Sequence, residues 1–337
     1  MTTTVRAYAA KEAGAPFEPY EYDLPDLPAG RVDIEVESCG ICHSDLSMRN
    51  NEWGMTAYPF VPGHEVIGTV AATGEGVTHL RPGQRVGVGW HAGSCMHCRI
   101  CVGGDPNLCP SAEQTIVGRH GGFAERVRVG AEWAIPIPEG VEPVGAGPLL
   151  CGGITVFNPL VQFGVKPTDR VGVVGIGGLG HMALGFLSKW GCEVTAFTST
   201  KSKGDEARRM GAHRVVDSRD EDALGREAGR FDFIISTVNV PLNWELYLNA
   251  LAPKGRLHNV GAVLEPIPVG AFTMIMAQRS LSGSPVGSVA TIGDMLGFCA
   301  RHAIRPVVET YPMEKVNDAM AHLEAGRARY RIVLTRD

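Results

Sequence analysis

The 337-residue sequence has no unbroken run of the roughly 20 apolar residues that a membrane-crossing helix requires, so a membrane-spanning protein is not expected. It also lacks a surplus of basic residues: 31 Lys and Arg stand against 36 Asp and Glu, for a formal net charge of −5. Nucleic-acid binding depends on a basic face that displaces counterions, so that class of partner is not expected either. Met1 to Ala10 shows no basic-then-apolar leader pattern, which makes the cytoplasm the expected compartment. No internal repeat or low-complexity stretch interrupts the chain.

What is present is the composition of a globular enzyme, 44% hydrophobic and 20% charged, at a length that suggests two domains. The nine cysteines are unevenly placed. Cys39 and Cys42 form one pair, Cys95 to Cys109 a tight group, and Cys151, Cys192 and Cys299 stand apart. In a reducing compartment clustered cysteines read first as metal ligands, because disulfides are disfavoured there.

Up to about residue 150 the sequence offers short strand-like runs, Arg31–Ser38, Val66–Thr73, Gln84–Trp90 and Phe123–Val129, punctuated by Pro62-Gly63 and Pro82-Gly83. That texture predicts a β-rich, barrel-like domain. From about 153 strands and helices alternate: Arg170–Gly175, helical Gly178–Trp190, Glu193–Thr198, helical Ser202–Met210, His213–Asp217, Phe231–Val238, helical Leu242–Leu251 and Arg256–Val263. Alternation of this kind predicts a parallel sheet with right-handed crossovers. Helical patterns at Thr291–His302 and Met313–Ala325 suggest a return to the first domain.

Gly175-Ile176-Gly177-Gly178-Leu179-Gly180 fits G-x-G-x-x-G between an apolar strand and a helix. Glycines there permit a tight turn and close approach of a pyrophosphate to a helix N-terminus. A plain structural turn is the alternative. NAD sites place Asp or Glu roughly 20 residues on, yet no carboxylate occurs between Val194 and Gly204. Ser199, Thr200, Lys201 and Lys203 offer hydroxyls and ammonium groups suited to a 2′-phosphate, so NADP(H) is expected; a solvated polar loop would account for the lysines but not for the missing acid.

Cys95, Cys98, Cys101 and Cys109 form C-x2-C-x2-C-x7-C, the pattern of a closed, structural zinc site, with His97 as a bystander and an iron–sulfur cluster as the competing reading. Cys42, His64 and Cys151, with Glu65 beside His64, supply the two-thiolate, one-imidazole set of an open catalytic zinc, for which alcohol dehydrogenase is the standard example. A Cys39/Cys42 redox pair is the alternative, without a thioredoxin-like pattern around it.

These motifs, together with Cys39–Met48, the Asn51-Glu52-Trp53-Gly54 turn, Tyr58–Gly68, Gly147–Phe157, Gly175–His181 and Tyr330-Arg331, resemble the zinc-dependent medium-chain alcohol dehydrogenases over essentially the whole chain. The nearest likeness is to the cinnamyl-alcohol-dehydrogenase-like branch and its bacterial NADPH-dependent aldehyde reductases. The resemblance implies a GroES-like catalytic domain at 1–152 and 288–337 and a Rossmann domain at 153–287, with a small-molecule aldehyde or alcohol bound in the cleft between them. It implies that Cys42, His64 and Cys151 hold zinc, with Glu65 as neighbour or occasional fourth ligand, and that Ser44 passes a proton to the substrate oxygen. His43, Thr155, Val260, Gly261, Ala262, Ser282, Ser284 and Arg331 are implied as cofactor contacts, and Ser199, Thr200 and Lys203 as the 2′-phosphate site. Trp53 and Trp90 are candidates for the substrate pocket, and a homodimer through Arg279–Val286 is the default assembly. Many relatives carry a histidine three residues after the relay hydroxyl; Ser47 stands there, which puts the outer half of that relay in doubt. Oxidation with NAD, a zinc-free reductase and a dinucleotide sensor are the competing functions on this fold.

Overall fold

A computed structural model describes residues 2–336. The described chain forms two compact units, one that runs to Ile154 and resumes at Gly287, and one spanning Thr155–Val286.

The first unit is built on a seven-stranded sheet. Its spine is Arg31–Ile41, which pairs antiparallel with Val66–Thr73, Arg126–Gly130 and Arg331–Thr335. Val32, Ile34, Val36, Val66, Val70, Val86, Val88, Val127 and Val129 all lie at 2% exposure or less, so branched side chains on the pleat make the core. Burial of each such side chain stabilises the fold by about 1.5–3 kcal/mol. The strand expected from Phe123 begins at Arg126. Upstream, Gly121, Gly122 and Phe123 donate their amides to the carbonyls of Val61, Gly63 and Pro62 instead. A Cβ on Gly121 would lie 2.5 Å from the Pro62 carbonyl oxygen, so only glycine lets these two turns meet. That contact braces the turn carrying His64.

Helix Pro143–Gln162 is 20 residues long and apolar enough by composition to cross a membrane, against the expectation that no such stretch exists. Most of its apolar stretch is buried, as expected of a core helix. Its middle turn, Leu149–Gly153, has π-helical hydrogen bonding, and Cys151 sits there. Single π turns inside α-helices recur at functional sites, because the extra residue re-aims a side chain.

The second unit carries six parallel strands in the order Arg214–Asp217, Glu193–Thr198, Arg170–Val174, Phe231–Ser236, Leu251–Asn259 and Ser280–Gly283. Strand order reverses between Arg170–Val174 and Phe231–Ser236, and a crevice at that point is where such sheets take ligands. Phe197, Phe231, Trp244, Tyr247, Leu248 and Leu257 pack its core. The strand expected to reach Val263 ends at Asn259. Beyond it the chain turns at Gly261, where a Cβ would collide with the Val238 carbonyl.

Candidate active site and metal centres

Donor atoms of Cys42, His64, Glu65 and Cys151 all lie within 4.8 Å of one another, and all four residues are buried. Cys42 follows directly on the Arg31–Ile41 strand and caps helix His43–Arg49. His64 and Glu65 follow Gly63, whose φ of +101° makes the turn. Cys151 arrives from the π turn. The two sulfurs are 3.8 Å apart, and His64 Nε2 is 3.2 Å from Cys151 Sγ. Two thiolates each about 2.3 Å from one tetrahedral zinc would stand about 3.8 Å apart, so the cluster fits that ion. Glu65 Oε2 is buried without a hydrogen-bond partner, which leaves the carboxylate a free lone pair beside the cluster. Cys39 is fully buried, bonds to the Gly40 carbonyl and stands outside this four-residue group.

Asp45, to which the sequence reading gave no role, organises the cluster. Its carboxylate stands 3.1 Å from His64 Nδ1 and accepts the backbone amides of Cys42 and Gly63, each at 2.9 Å. Burial works to lower the His64 pKa, yet the Asp45 charge overrides it and the net shift is upward. The Cys42 thiol is held well below its ordinary value, chiefly by the hydrogen bond from Cys151, whose own pKa is driven up.

Arg331, expected among the cofactor contacts, also has a partner inside the cluster. It is 4% exposed, paired with Glu65 Oε1, and it donates to the Ile41 carbonyl at 3.2 Å. The reason is register: Ile332 opposes Ile41 across the antiparallel pair, which brings Arg331 to the Cys42 end of the strand. Burial raises the Glu65 pKa against the pull of this guanidinium.

Ser44 Oγ lies 3.7 Å from Cys42 Sγ, and His43 is exposed at the first position of its helix. Ser47 is buried and donates to Glu52 Oε2 at 2.7 Å. That bond, with one from Asn50, lowers the Glu52 pKa. Trp90 meets the His64 ring edge-on at 5.0 Å, and Trp53 meets Trp90 at 6.2 Å, so both line the ground beside the cluster.

Sulfurs of Cys95, Cys98, Cys101 and Cys109 also converge within 4.8 Å, at 3.6 Å for Cys109 to Cys95 and 3.9 Å for Cys95 to Cys101 and Cys98 to Cys109. These separations again match about 3.8 Å for thiolates on one tetrahedral zinc. Backbone amides of Cys98, Cys101 and Ser111 point at the sulfurs of Cys95, Cys98 and Cys109. The His97 and Cys98 amides bring the Cys95 thiol down to about 6. His97 itself turns its Nδ1 to the Cys95 carbonyl and stands outside the cluster.

In the second unit the glycine-rich turn follows strand Arg170–Val174, and the next helix begins at Gly180, two residues later than expected. Gly175 has φ +86°, and a Cβ on Gly180 would strike the Gly175 carbonyl. Open space surrounds the missing Cβ of Gly177, so backbone is bared where a pyrophosphate would lie. Lys203 Nζ donates to the Ile176 carbonyl at 3.1 Å, while Ser199 is exposed and Thr200 partly so. Val260, Gly261 and Ala262 follow the end of strand Leu251–Asn259, and Ser282 and Ser284 both bond His258. Thr155 is buried in the helix after Cys151.

Residues 28–139 match the alcohol dehydrogenase GroES-like domain, and residues 178–301 match the zinc-binding dehydrogenase family. The chain belongs to the zinc-dependent medium-chain alcohol dehydrogenases, in their cinnamyl-alcohol-dehydrogenase-like branch, a family of alcohol dehydrogenases and aldehyde reductases. It is 55% identical to the aldehyde reductase AdhA of Synechocystis sp. over 331 residues, 98% of each chain. Among solved structures it is similar to a cinnamyl alcohol dehydrogenase from Sorghum bicolor, with a TM-score of 0.95 at 37% identity over 99% of this chain and 98% of that one. A Helicobacter pylori cinnamyl alcohol dehydrogenase complexed with NADP(H) gives 0.91 at 28% identity over 99% of both.

Proposed function

We propose that this chain reduces aldehydes to primary alcohols, reversibly, with NADPH, and holds two zinc ions, a catalytic one at Cys42, His64 and Cys151 and a structural one at the four cysteines of the 95–109 loop. The observation that carries this reading is the buried convergence of two thiols, an imidazole and a carboxylate within 4.8 Å. A zinc ion held there supplies Lewis acidity toward a carbonyl oxygen. Two thiolates would leave such a site formally neutral, and the imidazole would offer Nε2, because Asp45 engages Nδ1. Ser44, beside Cys42, gives its Oγ proton to the product oxygen. Trp53 and Trp90 exclude water and suit an apolar or aromatic aldehyde.

NADPH rather than NADH is supported by Lys203, whose ammonium lies against the glycine-rich turn, and by the hydroxyls of Ser199 and Thr200. A homodimer through the Ser280–Gly283 edge strand fits the exposed Leu264, Phe272, Ile275 and Met276, which precede that strand. Cysteines that gather at candidate metal sites instead of forming disulfides suit the reducing cytoplasm. The direct test is aldehyde-dependent oxidation of NADPH by protein purified without chelator. Turnover that persists after complete removal of zinc would sink the reading.

A further inference from the structure

His258 lies in strand Leu251–Asn259 with no solvent exposure, and both of its ring nitrogens are engaged. Nδ1 is 2.9 Å from Ser282 Oγ, and Nε2 is 3.0 Å from Ser284 Oγ. The parallel register sets His258 opposite Ser282, and the last pair of that ladder is Asn259 with Gly283. Ser284 therefore lies beyond the sheet, where no strand pairing fixes the chain, and the imidazole reaches across to it.

The ring is itself firmly placed. Phe163 stands 5.1 Å away, Phe233 lies nearly parallel at 6.1 Å, and the Arg256 guanidinium covers Phe163 at 4.0 Å. Burial, with a smaller push from Arg256, takes the His258 pKa down to about 4, so the imidazole is neutral in neutral solution. A neutral imidazole has one N–H and one lone pair. One serine hydroxyl must donate to the ring and the other must accept from it, so the two serines are held in different roles.

Ser280–Gly283 is an edge strand with a neighbour on one side only. Arg279 pins its entry by donating to the carbonyls of Leu251 and Asn249. His258 pins its exit. We propose that His258 is a positioning residue for the dinucleotide, fixing the Ser282-Gly283-Ser284 tract, which closes the half of the sheet across the strand-order reversal from the 2′-phosphate loop and so falls to the nicotinamide end. This rests on the cofactor reading given above. The structural alternative, a histidine that merely fills the core, would be replaced without loss by phenylalanine among Phe163 and Phe233.

The test is equilibrium binding, followed by fluorescence, of NADPH and of adenosine 2′,5′-bisphosphate, which lacks the nicotinamide half. His258→Phe is expected to weaken NADPH binding about tenfold, the scale of lost hydrogen bonds, and to leave the bisphosphate within about twofold. His258→Gln, which keeps a donor and an acceptor, should restore most of the affinity. Ser282→Ala/Ser284→Ala removes the same bonds together with any direct contact of those hydroxyls to the cofactor, so His258→Leu, which removes the ring bonds alone, carries the test if the Phe variant fails to fold. Adding His258→Phe to that double variant should change nothing further. Unchanged NADPH affinity in His258→Phe, or equal loss of both ligands, overturns the proposal. Wild-type protein that binds the bisphosphate but not NADPH overturns the cofactor reading itself.

Discussion

Asp45 and His64 form a fully buried pair, with carboxylate Oδ1 3.1 Å from imidazole Nδ1. The same carboxylate holds the backbone of Cys42 and of Gly63, so one side chain aligns two stretches that bring metal donors together. Asp45→Asn keeps the size but offers an amide N–H to Nδ1, which moves the ring proton to Nε2, where the metal belongs. Zinc affinity at Cys42, His64 and Cys151 should fall about 10–100-fold, the usual effect of losing such a partner. The four-cysteine site should keep its ion. Zinc retention against chelators of graded strength measures both, and unchanged retention of two ions would contradict the assignment.

Proton competition sets the pH dependence of that affinity. In the metal-free chain the Cys151 pKa is raised, chiefly by its bond to Cys42, and the His64 pKa is raised by Asp45 in spite of burial. Metal binding needs a thiolate and a neutral imidazole at these positions, so both protons must leave. Below the raised values protons win, and affinity must grow as pH rises. A competition titration between about pH 6 and pH 8 should show about tenfold tighter zinc per unit of pH, or more, as release of one or more protons requires. A flat profile would mean that these groups are not the ligands.

The two clusters should fail differently. Cys98 bonds the Cys101 amide and opens a short helix, Arg99–Val102, so its sulfur organises the loop. Cys98→Ser should mainly lower the melting temperature, because a structural zinc contributes folding free energy. Cys42→Ser should abolish turnover and leave dinucleotide binding largely intact. Thermal unfolding and NADPH titration of the two variants check this, and identical behaviour would dissolve the division.

The two donor clusters were legible in the sequence because zinc chemistry admits few residue types and fixes their spacing. Cys95 to Cys109 needed only local spacing, and Cys42, His64 and Cys151 needed the companion dinucleotide motif as well. Asp45 sits in the same Cys42-His43-Ser44-Asp45 run, but its task depends on a fold that returns Gly63 and His64 to it, which no spacing encodes. The pairing of Arg331 with Glu65 was not legible either, because antiparallel register with Ile41 decides it. The π turn at Cys151 carries no sequence signature beyond its glycines.

Ser47 illustrates the same limit. It occupies the place of a relay histidine, and the structure commits its hydroxyl to Glu52 at 2.7 Å. A serine hydroxyl has no pKa near neutrality and so makes a poor relay station. Ser44→Ala should lower the turnover number by about 10²-fold or more, as expected for loss of a general acid, whereas Ser47→Ala should change it less than about threefold. Ser47→His should introduce a new limb in the pH–rate profile at about pH 6–7 if protons leave by that route. An unchanged profile points to exit through the cofactor ribose and water.

Cofactor choice is the last property that the loop after strand Glu193–Thr198 should control. A 2′-phosphate brings close to two negative charges, and lysine and hydroxyl donors lower its energy where a carboxylate would raise it. Lys203 is already drawn to the glycine-rich turn through the Ile176 carbonyl, on the side where the adenosine ribose would lie. The carboxylate of Asp217, opposite Thr198 in the neighbouring strand, accepts the Arg219 amide at 2.9 Å. Lys203→Ala should raise the KM for NADPH about tenfold, the scale of one charge-assisted contact, and leave that for NADH nearly unchanged. Ser199→Asp should go further, because it repels the phosphate and offers an acceptor to the free ribose hydroxyls of NADH. Raising salt should weaken NADPH binding more than NADH binding, since Ser199 and its neighbours are open to solvent and their charge pairing is screened. Equal use of NADH and NADPH by the wild-type enzyme at matched concentrations would refute this account of the loop, while leaving the dehydrogenase assignment standing.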